Sequence, residues 1–324
     1  MDPMSKLVVF TGGTAGLGLA ALGKLIENAP TNFEATPRFN YEVYIGARST
    51  SDGALQAHFE GVRQSSPSPL EVKAHLLPLD LASLDSIERF AQDVLSNIVK
   101  PNKKIDILVL NAGIVVRNVR KTVKLPDNRE FESTLFVNTL SQAVLLKRLL
   151  HVMADDGRIV LVGSEKHKVP AKTVVAPSTI EDLLSGGKWE GRNAYGLSKL
   201  VQMHLFFILK DEINRRWPSE GNKPSVVAIS PGFVPETKLA REWPWILQLI
   251  GRYVLTLFPF TTPLPVAANT ILRGMVDTTL SSGTYLGRTG AIAPLEECND
   301  PTKRDEWRSW FVELGFWKTG ADVN

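Results

Sequence analysis

The sequence predicts an α/β protein built on a doubly wound parallel sheet of about seven strands. Short continuous apolar runs recur along the chain, helix-length segments separate them, and a glycine-rich turn follows the first run directly. A strand covered on both faces needs a continuous apolar run rather than an alternating one. Strands separated by helices read as repeated βαβ units.

Leu7 to Phe10 is the first strand, followed by Tyr41 to Gly46, Ala74 to Leu79, Ile105 to Leu110, Arg158 to Val162 and Ser225 to Ile229. Thr284 to Leu286 is a shorter seventh. Helical segments are expected over Leu19 to Glu27, Leu81 to Val99 and Phe131 to Met153. Another runs from Asn193 to Trp217, where Leu197, Leu200, Val201, Leu205, Ile208 and Leu209 recur at helical spacing. The sequence carries no internal repeat, low-complexity tract or Pro/Gly/Ser-rich linker, so residues 1–324 are read as one domain. Three stretches read as insertions: Asn28 to Asn40, Glu165 to Arg192 and Arg241 to Pro263.

Composition narrows the partners. Of the 324 residues 44% are hydrophobic, enough for a substantial core. Lys plus Arg total 37 against 34 Asp plus Glu, with no basic stripe, which argues against nucleic acid. A single cysteine, Cys298, excludes an intramolecular disulfide or a cysteine-built metal site, and the five histidines lack metal-ligand spacing. No metal is expected. Met1 to Phe10 lacks a basic region leading into a long apolar stretch, so the expected location is cytoplasmic.

After the first strand comes Thr11-Gly12-Gly13-Thr14-Ala15-Gly16-Leu17-Gly18, leading into a helix. Glycines there let the backbone approach a phosphate, and the helix N-terminus offers it unpaired N–H groups. The second strand ends Gly46-Ala47-Arg48-Ser49-Thr50. An acidic residue at that place would bind ribose hydroxyls. Arg48 cannot accept hydrogen bonds; its guanidinium suits a 2′-phosphate and can stack on adenine.

The spacing Gly12-x-x-x-Gly16-x-Gly18 resembles the turn of the short-chain dehydrogenase/reductase superfamily, and further landmarks follow in that family's order. These are Asp80-Leu81, Asn111-Ala112-Gly113, Asn138, Ser164, Tyr195-x-x-x-Lys199 and Pro231-Gly232 with Thr237. The resemblance runs from about residue 5 to 290 and implies a Rossmann sheet. It also implies a nicotinamide cofactor, here NADP(H), held by Gly12, Thr14, Gly16, Leu17, Gly18, Arg48, Asp80, Leu81, Asn111, Ala112, Gly113, Tyr195, Lys199, Pro231, Gly232, Val234 and Thr237.

The catalytic set implied is Asn138, Ser164, Tyr195 and Lys199. Tyr195 and Lys199 lie one helical turn apart on one face. A free tyrosine titrates near ~10, and a nearby ammonium lowers that value toward the working pH. Ser164 follows a strand and can donate to a substrate oxygen. Asn138 matches the family's asparagine in a locally distorted helix.

From Ser164 to Tyr195 is 195 − 164 = 31 positions. This long insertion resembles the branch of retinol-dehydrogenase-like, protochlorophyllide-reductase-like and 3-ketosteroid-reductase-like enzymes, with secondary-metabolism ketoreductases nearby. It implies a bulky lipophilic ketone, steroid-, terpenoid- or polyketide-derived. Glu165, Phe233 and Trp243 are the candidate substrate contacts. The apolar stretch from Trp243 to Phe260 reads as a substrate lid over about 238–263, as a homo-oligomer interface, or as a peripheral membrane contact. Alternative activities are alcohol oxidation, enone reduction, or cofactor binding by a non-catalytic scaffold.

Overall fold

The computed structural model describes residues 5–27, 39–51, 53–65, 71–99, 103–168, 175–184, 189–219, 221–236 and 261–318. Seven parallel strands form the central sheet: β1 (Ser5–Thr11), β2 (Asn40–Ala47), β3 (Val72–Pro78), β4 (Ile105–Leu110), β7 (Met153–Val162), β8 (Ser225–Ile229) and β9 (Thr284–Leu286). Two short strands, β5 (Thr122–Lys124) and β6 (Glu130–Glu132), make a separate antiparallel hairpin. The strand order is β3-β2-β1-β4-β7-β8-β9. Val8 pairs with Val43 on one side and Ile107 on the other, so β1 lies in the middle of the sheet, buried and continuously apolar.

Successive side chains of a strand face opposite sides, and that alternation divides the core in two. Val8 and Phe10 face a layer made by α1 (Gly16–Glu27), α2 (Gly53–Ser65) and α8 (Leu264–Val276). Leu7 and Val9 face the other, made by α3 (Leu84–Val99), α5 (Ser141–Leu149), α7 (Gly191–Arg216) and α9 (Pro301–Glu313). Trp307, Phe311, Phe316 and Trp317 at the chain's end are all buried in this second layer.

The order reverses between β1 and β4, which opens a crevice outside the carboxyl ends of these two strands. Doubly wound sheets place ligands there. All seven expected strands are present, with altered limits. The fifth begins at Met153 rather than Arg158, through the polar run Ala154-Asp155-Asp156 that has no apolar signal. The helix expected over Phe131 to Met153 is instead α4 (Ser133–Leu135), a π turn (Phe136–Leu140), α5 and a 3₁₀ turn (Leu150–Val152). In the long Ser164-to-Tyr195 connection, 3₁₀ turns cover Glu165–Lys168 and Pro177–Thr179, and α6 covers Ile180–Leu184. Most of the insertions expected at Asn28–Asn40 and Arg241–Pro263 lies outside the described residues, as do Thr237 and Trp243.

Candidate active site

The glycine turn is pinned from β4. Asn111 donates its side-chain amide to the carbonyls of Thr11 and Gly12, both at 3.0 Å. The Thr11 hydroxyl accepts the backbone N–H groups of Asn111 and Ala112. Gly12 has φ 71° and Gly16 φ 51°, conformations that cost a side-chain-bearing residue energy. A Cβ on Gly18 would stand 2.2 Å from the Gly12 carbonyl oxygen, so only glycine lets α1 begin this close to the strand. Thr14 and Leu17 lie on this turn, half-buried. Since both amide protons of Asn111 are spent on the turn backbone, its side chain shapes the cradle rather than reaching past it.

Around the cradle stand the other residues read from the sequence. Arg48 is exposed at the carboxyl end of β2, next to the crevice. Asp80, after β3, accepts from the Ala82 N–H, and Leu81 beside it is buried. Ala112 and Gly113 follow β4. Gly113 faces the catalytic side, since a Cβ there would be 3.2 Å from the Asn138 Oδ1 and 4.0 Å from the Lys199 Nζ. After β8, Gly232 has φ 81° and leaves no room for a side chain beside Thr262. Its neighbour Pro231 is buried, as is Val234, whereas Phe233 is exposed and bridges to Thr261. Glu165 is exposed next to Ser164.

Asn138 sits in the π turn. Its Oδ1 accepts the Ile114 N–H at 2.7 Å, and its Nδ2 donates to the Ile114 carbonyl at 2.9 Å and to the Ser198 hydroxyl at 3.0 Å. π turns inside helices recur at functional sites. Here the turn carries Asn138 against α7 and the extended segment after Gly113 together. The Ser198 hydroxyl in turn donates to the Tyr195 carbonyl.

Ser164, Tyr195 and Lys199 converge. The Ser164 hydroxyl lies in hydrogen-bond reach of the Tyr195 phenol and pulls its pKa down, against burial, which pushes it up to about 12. Ser164 Oγ also accepts the Lys166 N–H at 3.2 Å. The Lys199 Nζ lies 5.8 Å from the centre of the Tyr195 ring. It donates to the Val162 carbonyl at 2.8 Å and to Gln202 at 2.9 Å, and burial lowers its pKa to about 7.

Three groups escaped the sequence reading. Gln202 donates to Gln142, and Gln142 to the Ala112 carbonyl, so a buried amide chain ties Lys199 to the segment after β4. Arg117 is close enough to favour the Tyr195 phenolate electrostatically. Gly191 makes this approach possible, for a Cβ there would be 2.7 Å from the Arg117 Cα. His167 contacts Ser164 directly. A lone Gln, Arg or His has no periodic signal, and only the fold brings these three to the site.

The model of the short chain dehydrogenase family matches residues 6–179. The chain belongs to that family. This short-chain dehydrogenase is an oxidoreductase with the fold of its relatives. It is 30% identical over 246 residues to a short-chain dehydrogenase/reductase, GME11359, of Pestalotiopsis microspora, covering 74% of this chain and 73% of the other. With retinol dehydrogenase 14 of Mus musculus it shares 28% identity over 293 residues, covering 87% and 77%. The solved structure of NADPH-bound carbonyl reductase from chicken fatty liver superposes with a TM-score of 0.59 at 17% identity, over 91% of this chain and 96% of the other. Among the described residues of this dehydrogenase, no helix is long and apolar enough to cross a membrane, and no cluster of His, Cys, Asp and Glu could hold a metal.

Proposed function

We propose that this dehydrogenase reduces the carbonyl group of a bulky lipophilic ketone with NADPH. The observation that carries the reading is the convergence of Ser164, Tyr195 and Lys199 beside a glycine cradle whose flanking strand ends in an exposed Arg48. The cradle fits a dinucleotide: Gly18 leaves an open helix N-terminus, and Gly12 and Gly16 hold the turn in conformations that glycine alone tolerates easily. Arg48 fits a 2′-phosphate and supplies no acceptor for ribose hydroxyls. The relatives named for NADPH-bound carbonyl reduction and for retinol dehydrogenation support the same class of chemistry and a greasy substrate.

When bound, the nicotinamide supplies the hydride. The chain's own residues do the rest. Ser164 donates its hydroxyl proton as a hydrogen bond to the substrate oxygen and fixes its position. Tyr195 stands on the same side and gives its proton to that oxygen as charge develops there. Lys199, beside Gly113 and 5.8 Å from the Tyr195 ring, would hold the cofactor's ribose and, when protonated, makes the phenol a better acid. Asn138 holds the Ile114 backbone and the Ser198 hydroxyl, which frame them.

The test is a side-by-side titration of the full chain with NADPH and NADH, read by tryptophan fluorescence, followed by a screen of lipophilic ketones. Tighter binding of NADPH, weakened about tenfold or more by Arg48→Glu, is expected. Tyr195→Phe should abolish turnover and leave NADPH binding intact. Tighter binding of NADH, or a fully active Tyr195→Phe, would refute the reading.

A further inference from the structure

His167 is completely buried and belongs to no part of the machinery described so far. It lies in the 3₁₀ turn Glu165–Lys168, three residues after Ser164. Its Nδ1 is 2.7 Å from the Ser164 carbonyl oxygen, and its Nε2 is 3.1 Å from the backbone N of Leu295. A backbone N–H only donates and a carbonyl oxygen only accepts, so both contacts are satisfied by one form alone: the neutral ring with its proton on Nδ1. The ring meets Tyr285 of β9 edge-on, with centroids 5.5 Å apart. Burial lowers the pKa of His167 and keeps the ring neutral, although Glu165 favours its charged form.

We propose that His167 is a positioning residue for Ser164, a rigid strut that carries the placement of the segment before α9 into the orientation of the serine hydroxyl. The Ser164 carbonyl accepts twice, from the His167 ring and from the His167 N–H at 3.1 Å, while its hydroxyl oxygen accepts from Lys166. Together these bonds fix the peptide on which Oγ is mounted. Leu295 is itself fixed, because the 3₁₀ turn Glu296–Asn299 and α9 follow it at once, and α9 packs on α7, the helix bearing Tyr195. The serine and the tyrosine are thus set from the same C-terminal block. This role rests on the proposed carbonyl reduction, in which Ser164 steadies the substrate oxygen.

A double-mutant cycle in the full chain tests it, with NADPH and the aromatic diketone 9,10-phenanthrenequinone as probe. His167→Phe keeps the ring packing and removes both hydrogen bonds. It should lower kcat about tenfold or more with NADPH affinity unchanged. In a Ser164→Ala background the same change should have no further effect, since the group it positions is gone. His167→Asn, which can still donate to the Ser164 carbonyl, should recover part of the loss. Leu295→Pro removes the anchoring N–H at a residue whose φ of −63° already suits proline, and should mimic His167→Phe. Nitrogen-15 spectra of histidine-labelled protein, assigned by the peak lost in His167→Asn, should show the Nδ1–H tautomer. Unchanged kcat in His167→Phe, losses that multiply with those of Ser164→Ala, or the opposite tautomer would overturn the proposal. Wild-type turnover in Ser164→Ala alone would instead remove the functional reading on which it stands.

Discussion

A phenol held at about 12 and an amine held at about 7 stand one helical turn apart in α7, and burial drives both shifts. In the bare protein neither group favours its charge, so nearby donors and cations set the acid's strength. Arg117 is one such cation. Its removal in Arg117→Leu should raise the tyrosine's pKa and move the alkaline limb of the reduction pH profile upward, because reduction needs the protonated phenol. A limb that stays put would mean Arg117 does not act on Tyr195. Lys199 makes a second prediction. Between pH 7 and its ordinary 10.5, the unfolded chain holds a proton that the folded lysine has released, so this group makes folding more favourable as pH rises. The stability of the wild type relative to Lys199→Met should therefore climb across that window in urea unfolding. A flat or falling difference would show the buried lysine to be charged. Tyr195 and Lys199 were legible from the family's motif order together with their spacing. Arg117 and His167 were not, because each reaches the site by a turn of the chain that leaves no periodic trace.

Helix α4, the π turn and α5 form one interrupted rod, and the interruption is where Asn138 works. Asn138→Ala would leave both polar groups of Ile114 without their partner in a largely buried place. The expected cost is about 1–3 kcal/mol of folding stability, measurable as a lowered urea midpoint. An unchanged midpoint would mean water takes over these bonds. The apolar period over Phe131 to Met153 announced helical structure, which is present only from Ser133 to Val152 and is interrupted, and it said nothing of the extra residue in the π turn, since Phe136, Leu140 and Ala143 stay buried either way. The polar first half of β7 was hidden for a related reason: at the sheet's amino edge, Asp155 and Asp156 need no apolar partner. Seven strands could be found because parallel strands are apolar through their length, and their limits could not, because strand ends are not.

For the whole molecule, the block after β9 is as much part of the fold as the sheet. Trp307 is fully buried and stacks on His204 at 4.9 Å, with planes 21° apart, while Arg304 pairs with Asp211 at 2.9 Å. Lys147 and Arg129 donate to the carbonyls of Gly315 and Leu314. Trp307→Ala should destabilise the protein by about 3–5 kcal/mol, seen as one cooperative transition at lower denaturant. A separate early transition would show that the block unfolds by itself. The partner of these aromatic residues, the catalytic helix α7, could be known only from the fold. That partnership has a consequence during synthesis. Every strand leaves the ribosome before Leu295 and α9 do, so a nascent chain can close its sheet and shape its cofactor cradle while the back of α7 is still bare. A product cut short near residue 290 would therefore present an open aromatic-binding groove to chaperones and proteases, and cellular quality control would read its damage long before any loss of catalysis was felt.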